Sequence, residues 1–271
     1  MKSFFTVISL IFFAFSNAQL NQPQIWKHFV LQGKVKFVEE NYVAKKKKDK
    51  ETYTLEFSPE GKILKKEEIS TDRKTSTILS YDSQNRQEKA WFRNFDNNKL
   101  VLESIMTFRY RNDSVFVNTD ITDNGKKSNK SFTAILKDGL LVKYFGEKKG
   151  ESRVTEFVYD DHNNVLSQTN YKNGEKSSIY EFTYNYDENG SVLTQTDVNE
   201  NSITEFFPNG LIKSQNEFTY EYTYDSFGNW IRKIVFKNGK KYSESIRRIT
   251  YFDEIKPNVS NFSAFHNGKL Q

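Results

Sequence analysis

Apolar and polar side chains alternate with a period of two through most of this chain. Phe218, Tyr220, Tyr222 and Tyr224 share one parity, while Thr219, Glu221 and Thr223 hold the other. Phe182, Tyr184 and Tyr186 stand likewise against Thr183 and Asn185, and Leu79 with Tyr81, Met106 with Phe108 and Tyr110, and Ile249 with Tyr251 repeat the arrangement. Successive side chains of a strand point to opposite faces, so the pattern predicts strands with one aromatic face and one charged face. Helical periodicity is confined to Gln22–Leu31, where Ile25, Trp26 and Phe29 could share a side and Pro23 could open a first turn. That segment runs directly into strand-like Lys34–Val38.

Between the strands lies one recurring local pattern: an aromatic residue, Gly or Asn four residues later, and usually a large apolar side chain two beyond that. The sets are Phe57/Gly61/Ile63, Tyr81/Asn85/Gln87, Tyr159/Asn163/Val165, Tyr186/Gly190/Val192, Phe206/Gly210/Ile212 and Tyr224/Gly228/Trp230. Gly and Asn accept a left-handed backbone most readily, so each set marks a turn between strand ends. Asn-Gly pairs at 124, 173, 189, 209, 238 and 267, with Asp138-Gly139, add tight type I′ hairpin signals. The sequence thus predicts an all-β chain of antiparallel β-hairpin repeats forming one extended, curved or spirally wound sheet, with its closure undetermined and negligible helix. One domain spans 19–271, with degenerate repeats over 31–155, clearer ones over 155–255 and a tail at 256–271; atypical terminal copies suit the caps of a stack.

In four of the sets the aromatic residue is followed by aspartate: Tyr81-Asp82, Tyr159-Asp160, Tyr186-Asp187 and Tyr224-Asp225. An aspartate at the end of a strand can accept from the backbone N–H two residues on and close an Asx turn, a structural role preferred here over a metal or acid–base ladder. With Asn or Gly three residues later, these stretches resemble the YD repeats of Rhs-type bacterial proteins. The match is nearest at Tyr222-Thr223-Tyr224-Asp225-Ser226-Phe227-Gly228-Asn229-Trp230. Leu31-Gln32-Gly33-Lys34-Val35-Lys36 is similar to the opening of small exported YD-repeat proteins. The resemblance implies strands wound into a long curved sheet, which in the largest members forms a shell around a toxin. This chain is far shorter, lacks the usual Arg-Leu after the repeat glycine and carries no processing motif followed by a toxin, so the resemblance is to architecture and not to delivery.

Residues 1–18 read as a secretory signal peptide, with Lys2, the apolar run Phe4–Phe15 and Ser16-Asn17-Ala18 before a cleavage at Gln19. The expected destination is therefore the periplasm or the cell exterior. No later run is apolar enough for a transmembrane helix. No cysteine is present, so disulfides and thiolate chemistry are excluded. Net charge is +5 over 271 residues. The charge alternates rather than clusters, which argues against nucleic acid as a partner; the one basic run, Lys45–Lys48, reads as a solvated hairpin loop.

Catalytic signals are thin. His28, His162 and His266 have no metal-ligand spacing, no phosphate-cradling loop or nucleophile elbow occurs, and neighbouring acids such as Glu39-Glu40, Glu67-Glu68 and Asp160-Asp161 point to opposite faces of a strand. No cofactor is implied. The chain contains 24 Phe, 15 Tyr and 3 Trp against 2 Met. A surplus of rings on a rigid sheet predicts a non-enzymatic protein acting by surface contact with a glycan, a cell-envelope component or a protein. Trp91 and Trp230 are the ligand-binding candidates, with core packing as the competing role for both. Tyr81, Asp82, Tyr159, Asp160, Tyr186, Asp187, Gly190, Gly210, Tyr224, Asp225 and Gly228 are the structural repeat positions. An orphan scaffold or immunity-type partner in bacterial toxin systems is the alternative, and a secreted hydrolase ranks below it.

Overall fold

The computed structural model describes residues 31–44, 50–148 and 150–252. The signal peptide, nearly all of the Gln22–Leu31 segment, the Lys45–Lys48 run, His28, His266, Asn267-Gly268 and the 256–271 tail lie outside them. Every regular element described is a strand: β1 (Val35–Ala44), β2 (Lys50–Phe57), β3 (Ile63–Ile69), β4 (Arg73–Tyr81), β5 (Gln87–Asp96), β6 (Lys99–Arg111), β7 (Ser114–Asp123), β8 (Lys126–Lys137) and β9 (Leu140–Lys148). Then come β10 (Glu151–Tyr159), β11 (Val165–Lys172), β12 (Glu175–Tyr186), β13 (Val192–Asp197), β14 (Ser202–Phe206), β15 (Ile212–Gln215), β16 (Phe218–Tyr224), β17 (Trp230–Lys237) and β18 (Lys240–Tyr251).

Turn chemistry explains the hairpins. Two-residue turns form where both central residues hold positive φ, as at Asn124-Gly125 (47° and 80°), Asp138-Gly139, Asn173-Gly174 and Asn238-Gly239. The Tyr-Asp turns are longer. Asp82, Asp160, Asp187 and Asp225 each accept, through Oδ1, the N–H two residues on and the N–H four residues on, at 2.8–2.9 Å. Ser58 takes the aspartate's place after Phe57, its Oγ accepting from Lys62 N at 3.2 Å. Positive φ then falls on one residue of each loop, Asn85, Asn163, Gly190 or Gly228. The Asn-Gly pairs at 189 and 209 belong to this longer class: only their glycines are left-handed, and they are not type I′ turns.

The all-β antiparallel architecture is as the sequence predicts, but an open spiral is not. Each strand bonds its chain neighbour, and β1 is antiparallel to β2 on one side and to β18 on the other, so the hydrogen-bonded ladder of described strands returns from β18 to β1. Closure removes the exposed edge that an open sheet would offer to other chains.

A small network stitches the seam. The Asn229 side chain, 0% exposed, pairs with the backbone of Gln32 as a strand would: its Oδ1 accepts from Gln32 N at 2.6 Å and its Nδ2 donates to Gln32 O at 2.8 Å. The same Nδ2 donates to the Tyr251 hydroxyl (2.7 Å), which donates in turn to Asp225 Oδ2 (2.5 Å). Phe227 packs on Tyr251 with ring centroids 4.2 Å apart. Gly33, at φ +74°, lies beneath both; a Cβ there would sit 3.3 Å from the Phe227 ring.

The residues group into two compact units, one of Leu79–Phe92 with Leu102–Phe182, the other of the described parts of Gln24–Ile78 and Thr183–Gln271 with Arg93–Val101. The first encloses Met106, Phe108, Val115 and Val117 beside Ala90 and Ala134, where small side chains leave room for large ones. The second buries Val35, Val38, Leu55, Phe57, Ile63 and Trp230.

Candidate functional site

Along β7 the buried parity is Val115, Val117, Thr119 and Ile121, and the exposed parity is Phe116, Asn118 and Asp120. A phenyl ring thus stands on the polar face, 45% exposed. β9 repeats the exception: Phe145, between Tyr144 and Gly146, is 39% exposed. Register brings the two exceptions into line. Arg109 of β6 lies opposite Phe116, Phe116 opposite Thr133 of β8, and Thr133 opposite Phe145, one continuous row across four strands. A parallel row runs through Thr107, Asn118 and Ser131.

These residues line a groove of about 750 Å³ on the exposed face of the first unit. Strand spacing puts the Cα atoms of Phe116 and Phe145 about 10 Å apart, on either side of Thr133. Asp120, also in the groove, accepts from Asn129 Nδ2 at 2.6 Å. Glu147 borders the far end beside Phe145. Gly146 sets the floor: a Cβ there would lie 3.1 Å from Phe132 Cβ and 3.2 Å from Ser131 O, so a side chain would push β8 and β9 apart.

The tryptophans singled out in the sequence lie elsewhere. Trp230 is 4% exposed. The Arg247 guanidinium carbon covers it 3.4 Å from the ring centroid, Lys233 Nζ lies at 4.9 Å, and Tyr222 meets it edge-on at 6.0 Å. It offers no open face for a ligand, and packing is its role here. Trp91 is half-buried, its Nε1 donating to Glu103 Oε1 at 3.0 Å. His162 sits exposed in a repeat turn. Among the described residues no three His, Cys, Asp or Glu side chains form a metal-holding group.

The polar cluster over Trp230 joins the first and last strands. Glu40 of β1 accepts from Arg247 Nε of β18 at 3.0 Å, and Lys233 Nζ lies 3.5 Å from its other oxygen. Burial pushes the Arg247 guanidinium below its ordinary pKa, with Glu40 opposing; the same cause pushes the nearby Tyr53 hydroxyl up. At the repeat turns, burial would raise the Asp82 carboxyl, but hydrogen bonds from Arg86 and Gln84 outweigh it and hold that group low.

No family model and no curated protein matches the sequence. Among solved structures, a porin-like protein from Bacteroides uniformis ATCC 8492 is similar over 80% of this chain and 97% of its own, at 15% identity and a TM-score of 0.44. A porin-like protein from Bacteroides vulgatus ATCC 8482 covers 80% of this chain and 98% of its own at 14% identity, with a TM-score of 0.31. Likeness at this distance carries no functional conclusion.

The groove had a signal in the sequence: an aromatic residue out of phase with its strand. Phe116 and Phe145 interrupt polar parities that Asn118 and Asp120, or Lys143 and Glu147, otherwise keep.

Proposed function

We propose that this is an exported, non-enzymatic binding protein whose β6–β9 groove takes a carbohydrate. The observation that carries the reading is the pair of exposed phenyl rings in one row, flanked by side-chain hydroxyl, amide and carboxylate groups. A pyranose has one apolar face, which an aromatic ring covers, and a rim of hydroxyls, which such polar groups satisfy. The Tyr-Asp turns support kinship with YD-repeat proteins as architecture, and nothing of toxin delivery is carried over.

The exposed faces support a water-facing protein. Arg109 and Asp120 stand on one exposed face, and the pairs Lys143–Glu156 (2.8 Å) and Arg232–Glu244 (2.6 Å) cross-link strands partly in solvent. A lipid-facing barrel instead needs an apolar outer band, where charge is costly.

A glycan array followed by calorimetry tests the proposal. Wild-type protein should bind an oligosaccharide, and Phe116→Ala/Phe145→Ala should bind it at least tenfold more weakly, about 1.4 kcal/mol, at a temperature where circular dichroism shows both proteins folded. Binding unaffected by the double substitution, or release of sugar on incubation, would defeat it.

A further inference from the structure

Resting on the carbohydrate reading of the groove, we infer that the ligand is an acidic oligosaccharide lying across the strands, with a sugar carboxylate on Arg109 and pyranose faces on Phe116 and Phe145. Arg109 is the point of departure. Four other cations of this unit are held by carboxylates: Arg86 by Asp82, Lys143 by Glu156, and both Arg153 and Lys172 by Glu151; of the groove-lining residues Arg109 is the one cation. Arg109 is exposed in the groove and has no ion-pair partner among the described residues. A guanidinium presents a planar fork of donors that matches a carboxylate in two parallel hydrogen bonds.

The row fixes the geometry. Arg109, Phe116, Thr133 and Phe145 follow one another across adjacent strands, each step about 4.8 Å. From Phe116 to Phe145 the row therefore spans about 10 Å, close to two pyranose units of an extended chain. Thr133 between the rings can reach the hydroxyls at the linkage.

Charge gives the direction. Glu147 at the Phe145 end has no ion-pair partner among the described residues, so it accepts from neutral sugar hydroxyls there and disfavours a second carboxylate. Asp120, one row beyond Asn118, is already held by Asn129. The acidic unit consequently lies at the β6 end of the groove.

Calorimetry at low salt with tetramers of galacturonate and of alginate uronates, each beside its carboxyl-reduced form, tests the inference. At least one acidic tetramer should bind tenfold or more tightly than its reduced form. Arg109→Gln should bring acidic and reduced forms to the same affinity, and added salt should weaken only the acidic one. Equal affinity of the two forms for wild-type protein, with Arg109→Gln silent, would overturn the acidic assignment and leave the carbohydrate reading standing. Binding of neither form, with Phe116→Ala/Phe145→Ala indistinguishable from wild type, would overturn both. Exposure of Arg109 makes the substitution neutral for folding, which an unchanged melting temperature checks.

Discussion

Replacing Glu40 by Gln preserves the shape of the seam between β1 and β18 and removes its one buried negative charge. Arg247 and Lys233, both over the Trp230 ring, then lose the carboxylate they share. The Glu40 and Arg247 side chains are 14% and 11% exposed. Removing one partner of a buried pair typically costs about 3–5 kcal/mol; with a residue of water contact on both, about 3 kcal/mol is expected. For a protein of this size each kcal/mol moves the melting temperature roughly 2–4 °C, so Glu40→Gln should melt about 6–12 °C below wild type. The neighbouring residue supplies a control. Glu39 pairs with Arg248 at 3.9 Å, and Arg248 is 82% exposed, so Glu39→Gln should cost between about 0 and 1 kcal/mol. Combining Glu40→Gln with Arg247→Met should recover most of the loss, because an apolar replacement of a whole buried pair is close to neutral. Differential scanning calorimetry of the four proteins decides. Equal melting temperatures for the Glu40 and Glu39 variants would refute the claim that a buried charge pair secures the seam.

The network at Gln32 predicts that Asn229→Ala, which removes three hydrogen bonds from a side chain with no exposure, costs about 3 kcal/mol, and that hydrogen exchange quickens first at the N–H of Gln32 and of Phe252. Protection unchanged at those two amides would show that the seam does not depend on Asn229. Thr119 is buried with its hydroxyl unpartnered, so Thr119→Val should be neutral or stabilising by up to about 1 kcal/mol in urea unfolding; a clear loss would show that the hydroxyl does find a partner. Burial pushes the hydroxyls of Tyr53, Tyr81, Tyr110, Tyr222 and Tyr251 above their ordinary 10.0. The unfolded chain therefore loses these protons first, and stability should be full below pH 10 and fall as pH climbs beyond it. Tyrosine ionisation followed by absorbance should rise together with unfolding, and gradual ionisation with retained circular dichroism would contradict this.

The turns were legible in the sequence because their chemistry is local. Asp160 needs only His162 and Asn164 to close its loop, and all three lie within five residues. Even there, Asn189 and Asn209 misled, since an Asn-Gly pair reads as type I′ while the aspartate or phenylalanine upstream selects a longer loop. Closure was not legible. It rests on Asn229 meeting Gln32 across 197 residues, and on Glu40 finding Arg247 across 207, and neither pair leaves a local signature. Neither Trp91 nor Trp230 lines the β6–β9 groove, and ring size says nothing about parity. Trp230 follows its turn into a buried position, whereas the smaller rings of Phe116 and Phe145 stand on the exposed parity of their strands.

Titration of the isotope-labelled protein with the tightest-binding tetramer, followed at its backbone amides by NMR, shows whether the β6–β9 groove is the binding surface. Saturable shifts are expected at Arg109, Phe116, Thr133 and Phe145, and none at Trp230 or in the turns at Asp187 and Asp225. Shifts centred on the second unit, with that four-residue row silent, would contradict it.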